Sequence, residues 1–214
     1  MRVLSVNTGR ATAIENAKSS GLTGIFKTPA AGPVAVTTLG LDGDAICDTE
    51  NHGGVDQAVY VYGQPDYAWW AAELGRPLPP GTFGENLTVS DLESARLNVG
   101  DRLHLREVVL EVTAPRIPCV TLAARMGDPA FARRFRHAER PGVYCRVICE
   151  GYVSAGEAVH LEPFAGPALG VLEMVRAFYA NEWDEAKLRR HLAAPVAIRD
   201  RVELEGRLAQ LLSN

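Results

Sequence analysis

The chain has 214 residues, of which 47% are hydrophobic and 22% are charged, and its formal net charge is −4. These values are ordinary for a globular protein and exclude a disordered chain, while the weak acidic balance excludes the clustered basic surface of a general nucleic-acid binder. No apolar run reaches the roughly 18 residues that a membrane span requires. We therefore expect neither nucleic acid nor a membrane as a partner.

The first residues, Met1 to Asn7, carry one charge and predict a first strand rather than a secretory signal. We therefore expect a cytoplasmic protein. Four cysteines are too few for a disulfide framework, so we also expect free thiols.

Roughly the first 165 residues alternate short β-branched runs with turn-forming residues, which is typical of a barrel or a sandwich. Strands are predicted at 34–38, 58–62, 108–112 and 143–149. Helices are predicted at 65–74, 121–126 and 128–137, with Gly75 and Gly127 as breaks.

The chain changes character after a linker near 162–167, and apolar residues then recur at helical spacing. Asn181 is predicted to cap a second helix, with Asp184 completing a loose capping box. A third helix, at about 197–212, would turn Val202, Leu204, Leu208 and Leu211 inward. The predicted domains are residues 1–165 and residues 166–214.

Three segments carry residues suited to chemistry, and the first is Asn51 to Gln57. Gly53 and Gly54 would let the backbone approach a ligand and turn its N–H groups inward to bind an anion. His52 and Asp56 flank this bend. An ordinary polar turn between strands explains the segment equally well.

The second segment, Gly81 to Val89, places Glu85 and Asn86 at the start of a strand. Their side chains could face a cleft. The alternative is a hairpin loop with a solvated Glu and a turn-forming Asn.

The third segment runs from Ala114 to Cys119, between a strong strand and a predicted helix. Pro115 and Pro118 stiffen this loop, and the nearby helix N-terminus favours a thiolate at Cys119. A thiolate is a soft metal ligand, and Arg116 can bind a phosphate through two hydrogen bonds. The alternative is a buried cysteine that acts as a small hydrophobic residue.

The remaining candidates favour structural roles. Cys145 and Cys149 share one face of a predicted strand, which indicates the core, and at roughly 13 Å apart they could not share one metal ion. Cys47 has no partner within reach by sequence. Lys27, which precedes a predicted strand, is either a surface charge or a cation of the site.

In this order, the segments resemble the stand-alone bacterial proteins of the MOSC family, named after the C-terminal domain of molybdenum-cofactor sulfurases. The matching stretches are residues 24–29, 40–44, 52–59, 83–88, 115–119, 140–144 and 151–156. The match spans nearly all of the first 162 residues, and the tail resembles a small three-helix domain found in one branch of the family.

The resemblance implies a mainly β fold with some helix: a mostly antiparallel β-barrel with packed helices, followed by a three-helix unit. It implies the molybdenum cofactor, a molybdopterin with a terminal phosphate, as the ligand. Cys119 would coordinate the metal. We add the hypothesis that His52 or Asp56 supplies a proton, because histidine titrates near neutral pH. The implied cofactor-binding residues are Lys27, Gly53, Gly54, Gln57, Glu85, Asn86 and Arg116.

Gln57 stands where the family pattern often has Lys. This departure predicts either weaker cofactor binding or a phosphate held by Lys27 and Arg116 alone.

The implied activity is reduction of N-hydroxylated compounds, such as hydroxylaminopurines and amidoximes, to amines, without pyridoxal phosphate. A separate flavin or iron–sulfur protein would supply the electrons, and a homodimer is allowed for. One alternative is a carrier of the cofactor or of sulfur that does not turn over such substrates. Another is a passive barrel whose helical tail binds a partner.

Overall fold

The β-branched runs of the sequence become short strands in a computed structural model, which describes residues 1–15, 21–49 and 51–213. The strands are β1 (Val3–Thr8), β2 (Thr12–Ala13), β3 (Leu22–Thr23), β4 (Thr28–Pro29), β5 (Val34–Thr37), β6 (Gly40–Leu41), β7 (Val59–Gly63), β8 (Leu87–Val89), β9 (Arg102–His104), β10 (Val109–Pro115), β11 (Val143–Cys149), β12 (Gly151–Val153) and β13 (His160–Glu162). The helices are α1 (Gln64–Leu74), α2 (Val120–Met126), α3 (Phe131–Ala138), α4 (Val171–Ala180), α5 (Glu185–Leu192) and α6 (Ile198–Leu212).

Eight strands form the main sheet, in the order β13-β9-β10-β11-β7-β8-β1-β4. All neighbours in it are antiparallel except the parallel pair β7 and β8. A three-stranded sheet, β12-β5-β6, and a small β2-β3 pair complete the strands of the described residues.

The two sides of the main sheet are joined near its ends. The Val3 N–H donates to the carbonyl of Glu157 at 2.9 Å, and the Val159 N–H donates to that of Met1 at 2.9 Å. These bonds connect the chain before β13 to the start of β1, although the described strands do not form one continuous closed ladder. The predicted mainly β architecture with packed helices is confirmed in this barrel-like form.

Two apolar clusters hold the β part together. An aliphatic cluster lies inside the sheet and includes Val61, Leu110 and Val143. An aromatic cluster packs α1, α2 and α3 against β7; the Trp70 and Phe135 rings stack in it with centroids 5.8 Å apart. Leu122 of α2 belongs to this second cluster, which therefore fixes the helix that follows Cys119.

The three C-terminal helices share a smaller core that contains Leu169, Leu188 and Leu204 together with Val99 of the β part. This core supports the predicted three-helix unit, and the exact boundary at residue 165 stays a prediction. Among the described residues, no helix is both long and apolar enough to cross a membrane.

The predicted capping of the second tail helix was wrong. Asn181 ends α4 in a left-handed conformation with φ 51°, because Asn tolerates that region better than most residues. Asp184 is the residue that caps α5: its carboxylate accepts a hydrogen bond from the Lys187 N–H at 2.8 Å. Trp183 therefore lies in the short connection before this helix.

Two of the inward positions predicted for α6 were also wrong. Leu204 is buried, but Val202 is 63% exposed and Leu211 is 39% exposed. Periodicity identifies an apolar stripe, whereas the width of its contact depends on the facing helix, and here that contact is narrow.

The prediction that Cys145 and Cys149 share a buried face was wrong for Cys149. Cys145 is buried, whereas Cys149 is exposed. The pairing of β10 with β11 shifts register between Val109 and Leu110. Such a β-bulge adds a residue to one strand, so the alternation of faces breaks before Cys149.

We expect alkylation of the folded protein by iodoacetamide to modify Cys149 and to spare Cys145, because burial raises the pKa of the Cys145 thiol. The substitution Cys145→Ser should lower the free energy of unfolding by about 1–3 kcal/mol, since it puts a hydroxyl in an apolar core. Cys149→Ser is the matched control and should be neutral. Peptide mass mapping and urea unfolding give both results; equal labelling of the two cysteines would contradict the bulge.

Candidate functional site

The loop between β10 and α2 places Cys119 at the edge of a cleft in the β part. Cys119 is the N-cap of α2, and its carbonyl accepts from the Leu122 N–H at 3.1 Å. Pro115 still pairs with Val143 of β11, so the loop leaves the sheet at a fixed point. The cysteine is partly exposed and lies where a ligand in the cleft could reach it.

The surroundings of Cys119 favour the ionised form of its thiol. Burial raises its pKa, but a hydrogen bond from His52, the charge of Arg116 and the Leu122 N–H together outweigh burial and lower the pKa to about 6. At neutral pH the residue is therefore mostly a thiolate, which is the metal-binding and nucleophilic form.

Arg116 supplies a charge that stays inside the protein. Its side chain is 5% exposed, one of its N–H groups donates to the Phe83 carbonyl, and its guanidinium lies 5.0 Å from the Tyr60 ring centroid. Its Nε atom is buried without a partner in the described part of the chain. Because a guanidinium does not lose its proton in proteins, the cleft keeps this positive charge at all physiological pH values.

Lys27 forms the second buried cation, so its interpretation as a surface charge was wrong. It is 9% exposed, and its ammonium pairs with Asp44. Burial is the main reason that the pKa of Lys27 is lowered, and Asp44 opposes that effect. Asp44 also accepts from the Asn86 amide at 2.9 Å and from the Gly9 N–H at 2.8 Å.

The Asn51 to Gln57 segment forms one side of the cleft. Gly53 has φ +78°, and a Cβ there would lie 3.0 Å from Ile46 side-chain atoms, so glycine suits both the conformation and the space. The Gln57 Oε1 atom is buried without a partner in the described part of the chain.

Seven of the ten residues proposed from the sequence line this cleft, which has a volume of about 110 Å³ and is partly open to solvent. These are Lys27, His52, Gly53, Gln57, Asn86, Arg116 and Cys119. Gly54, Asp56 and Glu85 do not line it.

Asp56 instead links the β part to the C-terminal helices. Its carboxylate pairs with Arg146 at 2.9 Å and accepts from the Ile198 N–H, at the start of α6, at 2.6 Å. A carboxylate there also suits the positive end of the helix dipole.

Glu85 lies beneath the cleft and is fully buried. One of its oxygens accepts hydrogen bonds from the Tyr67 hydroxyl, the Gly81 N–H and the Thr88 hydroxyl, each at 2.7 Å. Burial raises the pKa of Glu85, while these donors lower it. The contacts tie the Gly81 to Val89 segment to α1, so the solvated-Glu alternative does not hold.

Sequence reasoning gave no role to Asp44, Tyr60 and Tyr144, which also line the cleft. Asp44 follows an Asp-Gly turn that fits a solvated loop equally well. The two tyrosines lie within strand runs that alternate regularly, and their rings are 5.0 Å apart. No signal in a single sequence marks which strand residues face a cleft.

Comparison with known proteins places this geometry in a family. The family model described as MOSC domain matches residues 48–160, which is more than half of the chain and includes Cys119. The chain belongs to the MOSC family. The uncharacterised protein YflK of Bacillus subtilis is 40% identical over 159 residues, which cover 74% of this chain and 72% of YflK.

Two further relatives, one found by its sequence and one by its crystal structure, also match this chain. A protein of Gibberella moniliformis named "Reductase" is 32% identical over 162 residues, covering 73% of this chain but only 28% of that much longer protein. The crystal structure of YiiM from Geobacillus stearothermophilus aligns with a TM-score of 0.79 at 27% identity, over 97% of this chain and 98% of that one. The structural match therefore includes the helical tail as well as the MOSC domain.

We expect the rate of Cys119 alkylation to rise with pH to a plateau, with a midpoint near the pKa of about 6. His52→Ala removes the hydrogen bond to the thiolate, so the midpoint should move to higher pH. The measurement follows iodoacetamide labelling of Cys119 by mass spectrometry, and Cys149 in the same protein is the internal control. An unchanged midpoint in His52→Ala would rule out His52 as the stabilising donor.

Asp56→Ala should lower the free energy of unfolding by about 1–3 kcal/mol, because it removes the nearer of the two carboxylates that pair with Arg146 and the acceptor of the Ile198 N–H in the first turn of α6. Urea unfolding measures this loss. Glu205→Ala, which removes an exposed carboxylate 3.9 Å from Arg201, is the control and should change stability by no more than about 0.5 kcal/mol. Full stability in Asp56→Ala would return this residue to consideration as a proton donor.

Proposed function

We propose that this MOSC protein binds the molybdenum cofactor in the cleft, with Cys119 as the protein ligand to the metal, and reduces N-hydroxylated compounds to amines. The observation that carries the proposal is the Cys119 thiolate, held by His52 and Arg116 at the edge of a cleft that also contains Lys27. MOSC domains are associated with this cofactor, and the similarity to a protein named reductase supports an oxidoreductase.

The residues of the cleft fit the chemistry of the cofactor. A thiolate is a soft ligand that suits a heavy transition metal. Lys27 and Arg116 are cations suited to a phosphate, and the described bonds of Lys27 use one of its three N–H donors. The unpartnered Gln57 Oε1 can accept a hydrogen bond from a pterin N–H group, and Arg116 Nε can donate one.

The proposed reaction takes one N-hydroxylated molecule, two electrons and two protons, and yields one amine and one water. When bound, the metal supplies the two-electron chemistry that breaks the N–O bond. The chain supplies the rest: Cys119 anchors the metal, and His52, which lines the cleft, is placed to deliver a proton. The bonds of Asp56 to Arg146 and Ile198 favour His52 over Asp56 for this task.

The electrons would come from a separate flavin or iron–sulfur protein. That partner is proposed from the reaction balance, since two electrons are consumed per turnover.

We expect Cys119→Ser to lose most of its bound molybdenum and at least about 100-fold in amine formation, because a serine hydroxyl is a poor, hard ligand. The protein is purified from a cofactor-competent host, molybdenum is measured by elemental analysis, and amine is measured from 6-hydroxylaminopurine with a flavoprotein reductant. Cys149→Ser, which changes an exposed cysteine to the same residue, is the matched control. Retained molybdenum and full turnover in Cys119→Ser would overturn the ligand assignment.

The same assay separates the reductase from a carrier. Near-stoichiometric molybdenum without amine from hydroxylaminopurines or amidoximes would favour a cofactor carrier. Sulfur bound to Cys119 as a persulfide, without bound metal, would favour a sulfur carrier.

A further inference from the structure

A second cavity, of about 400 Å³, lies between the Cys119 loop and the C-terminal helices, and we call it the helix-side pocket. Its helical wall consists of Met174, Phe178, Trp183, His191, Arg199, Asp200, Glu203 and Leu204. His52, Gln57, Cys119 and Tyr144 line both this pocket and the cleft. Cys119 is thus reached from two sides.

The helix-side pocket contains a buried polar atom without a partner. His191 is 2% exposed, and its Nδ1 lies 2.8 Å from the Lys187 carbonyl, so Nδ1 carries the proton in that bond. In the neutral ring the other nitrogen, Nε2, is then an acceptor. This Nε2 is buried and has no partner in the described part of the chain. An unsatisfied buried acceptor is costly, so a ligand that brings an N–H or O–H donor is favoured.

The surroundings of His191 suit a flat ring. Trp183 packs edge-on against the His191 ring with centroids 5.0 Å apart, and Phe178 lines the same pocket. Aromatic faces bind planar heterocycles through stacking and apolar contact. The side chains of Asp200 and Glu203 add acceptors for amino groups, and the guanidinium of Arg199 adds donors for ring nitrogens.

We propose that the helix-side pocket is the substrate site, in which α4, α5 and α6 hold a planar N-hydroxylated heterocycle against Cys119 and His191 Nε2 accepts a hydrogen bond from it. This inference rests on the proposed function for the identity of the substrate. The proposal assigns a different role to each part of the chain. The MOSC domain holds the cofactor, and the helical tail selects the substrate.

The test uses protein without cofactor and measures the binding of 6-hydroxylaminopurine by calorimetry, with adenine as an unreactive second probe. We expect saturable binding of one molecule per chain and a change in tryptophan fluorescence that is lost in Trp183→Phe. His191→Phe keeps an aromatic ring but removes Nε2, and it should weaken binding about tenfold. His137→Phe makes the same change on α3, outside the pocket, and should leave the dissociation constant unchanged.

A second variant tests the pocket independently, in case His191→Phe does not fold. Phe178 is 58% exposed, so Phe178→Ala should fold normally and still weaken purine binding several-fold. Loss of affinity in Phe178→Ala, with His137→Phe unaffected, supports the pocket. No binding of either purine, or equal affinity in all variants, overturns it.

Turnover separates this inference from the proposed function. In protein loaded with cofactor, His191→Phe and Phe178→Ala should raise KM and largely preserve kcat, whereas Cys119→Ser loses kcat. If Cys119→Ser keeps full activity while the pocket variants still weaken purine binding, the metal-ligand assignment fails and the substrate pocket stands. If Cys119→Ser behaves as expected and the pocket variants change neither affinity nor KM, the pocket fails alone.

Discussion

The buried charge of Arg116 is the constraint on which the site depends. A guanidinium does not lose its proton in proteins and so stays charged. When it is buried, the protein must surround it with hydrogen-bond acceptors and the faces of aromatic rings. The Phe83 carbonyl, the Tyr60 ring and the Cys119 thiolate serve this purpose. Each comes from a different segment, so one ionic requirement brings together β7, the loop after Gly81 and the start of α2.

The same constraint explains why Cys119 is a thiolate. Burial alone would keep the thiol protonated, and the neighbouring cation and the hydrogen bond from His52 reverse this effect. The cation and the thiolate therefore stabilise each other. A metal ligand that is already ionised releases no proton of its own when metal binds.

Cys119 lies between two cavities that differ in the chemistry of their walls. The cleft of the MOSC domain offers buried cations, and the helix-side pocket offers aromatic rings, acceptors and the unpartnered His191 Nε2. The bonds of Asp56 to Arg146 and Ile198 connect the β part to the C-terminal helices, since they join the cleft segment to the first turn of α6. Asp56, which the sequence suggested as a proton donor, thus contributes by connecting the elements that form the site.

The sequence by itself determined much of the local structure and singled out Cys119 and the loop that carries it. β-Branched runs, Gly75 and Gly127 predicted strands and helix ends, because these follow from backbone conformation alone. The stiff Pro115 to Cys119 loop, with its neighbouring helix start, pointed to an activated cysteine, and the ordered motifs indicated the family.

Only the tertiary structure decided which side chains meet. Glu85 faces Tyr67 and Asp56 faces α6, although neighbours in their own segments line the cleft. The bulge that exposes Cys149 depends on the pairing of β10 with β11, and the burial of Lys27 depends on Asp44. The helix-side pocket joins residues more than 100 positions apart. Such contacts arise from the packing of distant segments, and periodicity along a single chain carries no information about them.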